Sequence, residues 1–96
     1  MDLEKQAKIY KALSEENRLR IIGILQTEKK CACEILDYLE ISQSTLSHHM
    51  KILCECGLVE CQKKEKWSYY NLSKDMTDEI IESLQSLFKK RREDER

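Results

Sequence analysis

Apolar residues recur at helical spacing in five stretches of the chain. Over residues 3–13, Leu3, Ala7, Tyr10 and Leu13 fall on one side of a helix. Ser14 is placed to cap a second helix, Glu15 to Gln26. Leu19, Ile22 and Leu25 form its inner face, and Ile21 and Ile24 widen it. A short third helix, Ala32 to Leu39, carries Ile35, Leu36 and Leu39. After the turn Glu40-Ile41-Ser42 comes a fourth, in which Leu46, His49, Met50 and Leu53 make one packed stripe. Ser42 suits its N-cap, and Gly57 suits the left-handed turn that ends it. The period then changes. Leu58 to Gln62 and Trp67 to Leu72 read as strands of a hairpin around Lys63 to Lys66. A last helix starts at Ser73 or Asp75, with Met76, Ile80, Leu84, Leu87 and Phe88 along its apolar side. It runs out in the mixed-charge tail Lys89 to Arg96.

Helix, tight turn, helix and two-stranded wing form the outline of a DNA-reading module. The fold class expected is mainly α with a small β-hairpin: a dimeric winged helix-turn-helix of five helices and a two-stranded wing. Residues 1–96 read as one domain, with the helix-turn-helix at about 32–56 and the wing at about 58–72. The helices at about 3–13 and 75–91 are peripheral, and their apolar stripes need a cover. They are the expected dimer interface, which would set two recognition helices into successive major grooves of a pseudo-palindromic site.

Composition sharpens this outline. The 96 residues contain no proline and only two glycines, which suits helices joined by short turns. No apolar run approaches membrane-span length and no signal-peptide pattern is present, so the chain reads as soluble, cytoplasmic and without a membrane partner. The net charge of −1 would not by itself suggest nucleic acid, but the charge is unevenly placed. Lys51, Lys63, Lys64 and Lys66 lie in or just after the central module, where they can meet phosphates. Gln43, Ser44, Thr45, Ser47 and His48 open the fourth helix with short or amide-bearing hydrogen-bonding groups suited to base edges. These nine residues are the expected contacts to double-stranded operator DNA, and no cofactor is needed for that contact. His49, on the packed side, is assigned to structure.

The residues also carry a family likeness. Tyr10-Lys11-Ala12-Leu13-Ser14-Glu15-Glu16-Asn17-Arg18-Leu19-Arg20-Ile21 resembles the opening of the ArsR/SmtB repressors. Ser42 to Leu53 resembles their recognition-helix signature. Gly57-Leu58-Val59 with Lys66 to Leu72 is similar to their wing. The likeness covers about residues 8 to 73, with several motifs in the right order. It implies a homodimeric repressor released from its operator when a metal or metalloid binds.

Lys30-Cys31-Ala32-Cys33-Glu34-Ile35 looks like the C-x-C-[DE]-L motif of the arsenic, cadmium and lead sensors in this family. The resemblance implies that Cys31 and Cys33 are ligands of a thiophilic inducer. Residues two apart on a regular helix point about 200° apart. Shared ligation from such a helix is therefore expected to unwind its first turn and compete with DNA-competent geometry. The family's third cysteine position is Leu36 here, and a soft trivalent ion favours three sulfurs. Cys54, Cys56 and Cys61 are the remaining possible third ligands, each set against a plain packing role. An odd count of five cysteines disfavours a disulfide scaffold. The matching departure on the last helix is the lack of histidine, which removes the ligands of the family's other zinc site.

Two functions share the DNA-binding frame: release by a metal or metalloid, or switching by cysteine redox, persulfide or disulfide chemistry. A thiol-dependent enzyme is disfavoured, because no C-x-x-C motif or His/Asp constellation activates a thiol. A purely protein-binding winged helix would leave the polar face Gln43 to His48 without a purpose.

Overall fold

The computed structural model describes residues 1–94, with side chains described as far as Lys89. The elements are α1 (Leu3–Leu13), α2 (Glu16–Ile24), β1 (Lys30–Cys31), α3 (Ala32–Leu36), α4 (Gln43–Glu55), β2 (Val59–Lys64), β3 (Trp67–Leu72) and α5 (Lys74–Asp94). Most of the expected tail Lys89 to Arg96 lies outside the described side chains.

Helices α2, α3 and α4 enclose a core in which Ile21, Ile35, Leu46, Met50 and Leu53 are almost wholly buried. The α4 stripe is as expected, including His49, and Ser42 caps the helix by accepting the Thr45 N–H at 3.2 Å. Gly57 follows with φ +87°, where an added Cβ would lie 3.1 Å from Met76 Cε. The backbone conformation and the close packing both call for glycine. Ser73 opens α5 by accepting the Met76 N–H.

Several expectations are corrected. On α1 the buried residues are Gln6, Ile9 and Ala12, whereas Leu3 and Ala7 are exposed. Ile9 and Ala12 enter the core, and Tyr10 and Leu13 of the expected stripe pack against it half-buried. On α2 the buried positions are Ile21 and Leu25, and Leu19 is exposed. Ser14 ends α1 rather than starting α2. Its hydroxyl donates to Lys11 O, while Glu15 caps α2 by accepting the Arg18 N–H. Helix α3 stops at Leu36 and gives way to turns from Asp37 onward.

The wing is larger than the expected hairpin. Strands β2 and β3 pair antiparallel from Val59↔Leu72 to Lys64↔Trp67, joined by Glu65 and Lys66 alone, with Glu65 at φ +59°. Lys63 and Lys64 therefore belong to a strand and not to the connection. A two-residue strand, β1, joins the other edge of β3 through Lys30↔Tyr70 and Cys31↔Tyr69, so the sheet has order β1-β3-β2. Such a short strand leaves no alternating pattern to read.

Leu53, the last residue of the α4 stripe, is fully buried. Leu53→Ala should cost about 2–5 kcal/mol of stability, read as a fall in urea midpoint with an unchanged slope.

Candidate nucleic-acid interface and thiol site

The N-terminal half of α4 is open to solvent on one side. Gln43, Ser44, Thr45, Ser47, His48 and Lys51 are all exposed, while Leu46, His49 and Met50 turn inward. Lys63, Lys64 and Lys66 are exposed on the wing. The nine residues expected to face nucleic acid are thus accessible, six on one helix and three on the adjoining hairpin. The opening turn is partly organised by its own hydroxyls, since Ser42 Oγ lies 2.9 Å from Thr45 Oγ1 and 3.2 Å from Ser44 Oγ.

The inner side of α4 is fixed by a polar contact that the sequence pattern does not show. Arg18 Nη1 lies 3.1 Å from His49 Nδ1, and Arg18 Nε donates to Ala12 O at 2.6 Å. An arginine can only donate, so the bonded His49 nitrogen is the acceptor and the neutral ring carries its proton on Nε2. That nitrogen faces the Glu15 carboxylate at 3.8 Å. Arg18 thereby ties the end of α1 and the start of α2 to the buried face of the recognition helix.

Cys31 and Cys33 are placed differently from the regular-helix expectation. Cys31 precedes α3 as its N-cap, with extended backbone at φ −78° and ψ 161°, and only Cys33 is helical. Their Cα atoms are 5.4 Å apart and their sulfurs meet in a disulfide. No unwinding is needed to bring the two sulfurs together, because the cap residue has already left the helical path. Cys31 is buried and Cys33 exposed. Cys31 Sγ accepts the Glu34 N–H at 3.4 Å, and the Glu34 carboxylate accepts the Cys31 N–H at 3.0 Å. This is a capping box with sulfur in the usual place of a hydroxyl. The same residue pairs with Tyr69 of β3. Lys29, nearby in sequence, lies over the Tyr69 ring at 5.6 Å.

The other three cysteines lie at the far end of α4 and on β2. Cys56 is buried and its thiol donates to Leu53 O, a packing role. Cys61 is exposed, contrary to the packing expectation, because β2 is uncovered after Val59. Burial pushes the half-buried Cys54 thiol up to about 11, helped by Cys61 and then Cys56. Burial, then Cys61 and Cys54, also raises the Tyr70 phenol. Among the described residues, no three Cys, His, Asp or Glu side chains gather in a set able to hold a metal ion. The Cys31–Cys33 pair therefore has no third sulfur beside it in one chain, and the donor set falls short of what a bare soft trivalent ion favours.

Comparison with known proteins places these features. The model of the arsR family of bacterial regulatory proteins matches residues 15–60. An arsenical resistance operon repressor from Staphylococcus aureus is 38% identical over 84 residues, covering 88% of this chain and 81% of that protein. This chain belongs to the ArsR family. It is a DNA-binding transcriptional regulator of winged helix-turn-helix fold and not an enzyme. The structure of HlyU from Vibrio cholerae matches with TM-score 0.74 and 33% identity, over 92% of this chain and 98% of that one. A homodimeric winged helix-turn-helix DNA-binding domain from Mycobacterium bovis shares the fold, with TM-score 0.74 and 23% identity over 90% and 84% of the two chains. No helix among the described residues is long and apolar enough to cross a membrane.

The thiol environments predict an order of alkylation. With Cys31 and Cys33 joined, iodoacetamide at pH 8 should modify exposed Cys61 first, with Cys54 unreactive until the pH nears 11. The sign for stability follows from the raised folded value. The contribution of Cys54 is fully present below pH 9 and is lost as pH rises through about 11. Peptide mass mapping across pH checks the order.

Proposed function

We propose that this ArsR-family regulator is a homodimeric repressor. It holds operator DNA through α4 and the wing and is released when a thiophilic metal or metalloid engages Cys31 and Cys33. The observation that carries the proposal is the position of Cys31. One residue caps the first helix of the helix-turn-helix and pairs with the central strand of the wing. Its sulfur accepts the Glu34 N–H while joined to Cys33, so a change in its bonding partner bears on the bond that caps α3. The helix that supports α4 and the strand that carries the wing then feel a single chemical event. That is the two-site coupling a repressor needs.

Gln43, Ser44, Thr45, Ser47 and His48 are assigned to base edges and Lys51, Lys63, Lys64 and Lys66 to phosphates. The dimer interface is assigned to α1 and α5. Leu3, Ile81, Leu84, Leu87 and Phe88 are all exposed there, apolar side chains that a partner subunit would cover. The homodimer of the Mycobacterium bovis domain supports a dimer of this fold. The name of the Staphylococcus aureus relative supports an arsenic-type inducer, and the family resemblance extends the class to cadmium and lead.

A second reading keeps the DNA interface and makes the pair a redox switch. The meeting of the two sulfurs favours it. Oxidation would take two electrons and two protons from the dithiol and pass them to a polysulfide or diamide.

The tests use a duplex selected in vitro for tight binding to the reduced protein. Gln43→Ala or Ser44→Ala should each weaken that complex by about 1–3 kcal/mol while leaving non-specific binding unchanged. Lys64→Ala should weaken binding to all sequences and lower the salt slope by about 1. If neither class of variant alters anisotropy titrations, α4 is not the reading element. Cys31→Ser with Cys33→Ser should bind DNA normally and ignore arsenite, cadmium and diamide. Wild-type release by arsenite or cadmium but not diamide selects the first reading, and the reverse pattern selects the second. Normal release of the double variant places the inducer site elsewhere.

A further inference from the structure

Cys33 of the thiol pair borders a cavity that neither reading uses. A hollow of about 340 Å³ lies between α3, α4 and the wing. Cys33 stands in its wall, with Leu36 from α3, Met50 from α4 and Trp67 from β3 giving it apolar and aromatic surface. Gln43 and Ser68 also line it. A cavity of about 150 Å³ is enough for a benzene ring, so this one admits an aryl group.

The donor count and the cavity point the same way. A bare soft trivalent centre favours three sulfurs, and only two meet here among the described residues. A trivalent centre that already bears one carbon substituent needs only two. We propose that this cavity is the subsite for the organic group of a monosubstituted trivalent arsenical, with its arsenic bonded to Cys31 and Cys33. The proposal rests on the reading of that pair as the inducer site. The reaction balances without an oxidant. From the hydrated form R–As(OH)2, two S–H and two As–O bonds break, two As–S and two O–H bonds form, two waters leave, and the As–C bond and the oxidation state persist. Entry is through exposed Cys33. The organic group then lies between Gln43 of the recognition helix and Trp67 of the wing. Its bulk bears on the spacing of the two elements assigned to DNA.

The only tryptophan, Trp67, gives a direct readout. Reduced full-length protein is titrated with phenylarsine oxide and, separately, with sodium arsenite, following intact mass and tryptophan emission. Phenylarsine oxide should add once per chain, change Trp67 emission, and half-saturate at least tenfold below arsenite. Ser68→Leu fills the cavity from the strand, away from the sulfurs, and should cut that advantage below threefold while leaving arsenite binding unchanged. The emission change in unaltered protein tests the cavity independently of whether this variant folds. Three results overturn the proposal alone: arsenite binding as tightly as phenylarsine oxide, Trp67 emission unmoved by the aryl compound, or the aryl preference surviving in folded Ser68→Leu. If neither compound binds, or both bind Cys31→Ser with Cys33→Ser as well as wild type, the inducer-site reading fails and takes this proposal with it.

Discussion

Cys31 joins the first helix of the helix-turn-helix to the central strand of the wing. Its sulfur accepts the Glu34 N–H, its own N–H donates to the Glu34 carboxylate, and its backbone pairs with Tyr69. The first pair of bonds closes the N-terminus of α3, a helix of five residues that could not hold its form alone. The strand pairing fixes where the wing begins. Packing of Ile35 against the α4 stripe then carries the position of α3 to the recognition helix. Sulfur is a weaker acceptor than a hydroxyl oxygen, so the cap is modest in energy. On the function proposed, a structural cap that carries sulfur is where covalent chemistry would reach α4 and the wing together.

The recognition helix is held from behind by a different kind of contact. Apolar packing of Leu46, Met50 and Leu53 sets its depth, but a greasy face alone allows rotation about the helix axis. The Arg18–His49 bond removes that freedom, because a directed hydrogen bond between a guanidinium and one ring nitrogen has few satisfactory geometries. The exposed face from Gln43 to Lys51 keeps its aim for this reason. Electrostatics then act locally: net charge is −1, yet the three wing lysines stand exposed together on β2 and its turn.

Much of this was legible in the chain. The stripe of α4, its Ser42 cap and the Gly57 stop follow from spacing and cap chemistry, and the structure agrees residue by residue. The exposure of the polar turn Gln43 to His48 follows from the same helix. The inner faces of α1 and α2 were misread because each helix has apolar residues all round. Periodicity then cannot say which side meets the core and which awaits a partner. Strand β1 was invisible, since two residues carry no period. That omission led to the second error, the expectation that ligation must unwind α3. With Cys31 counted as helical, its sulfur points away from Cys33; with Cys31 as an extended cap, the two meet. The Arg18–His49 bond joins residues 31 apart in sequence and left no local trace.

Hydrogen exchange at the amides of Cys31, Glu34 and Tyr69 tests most directly whether one residue couples inducer chemistry to the DNA-facing elements. The account predicts that arsenical binding to the reduced protein lowers protection at Glu34 and at the β1–β3 pairing, while Leu53 in the α4 core stays protected. Unchanged protection at Glu34 and Tyr69 in a protein that has nonetheless released its DNA would contradict it.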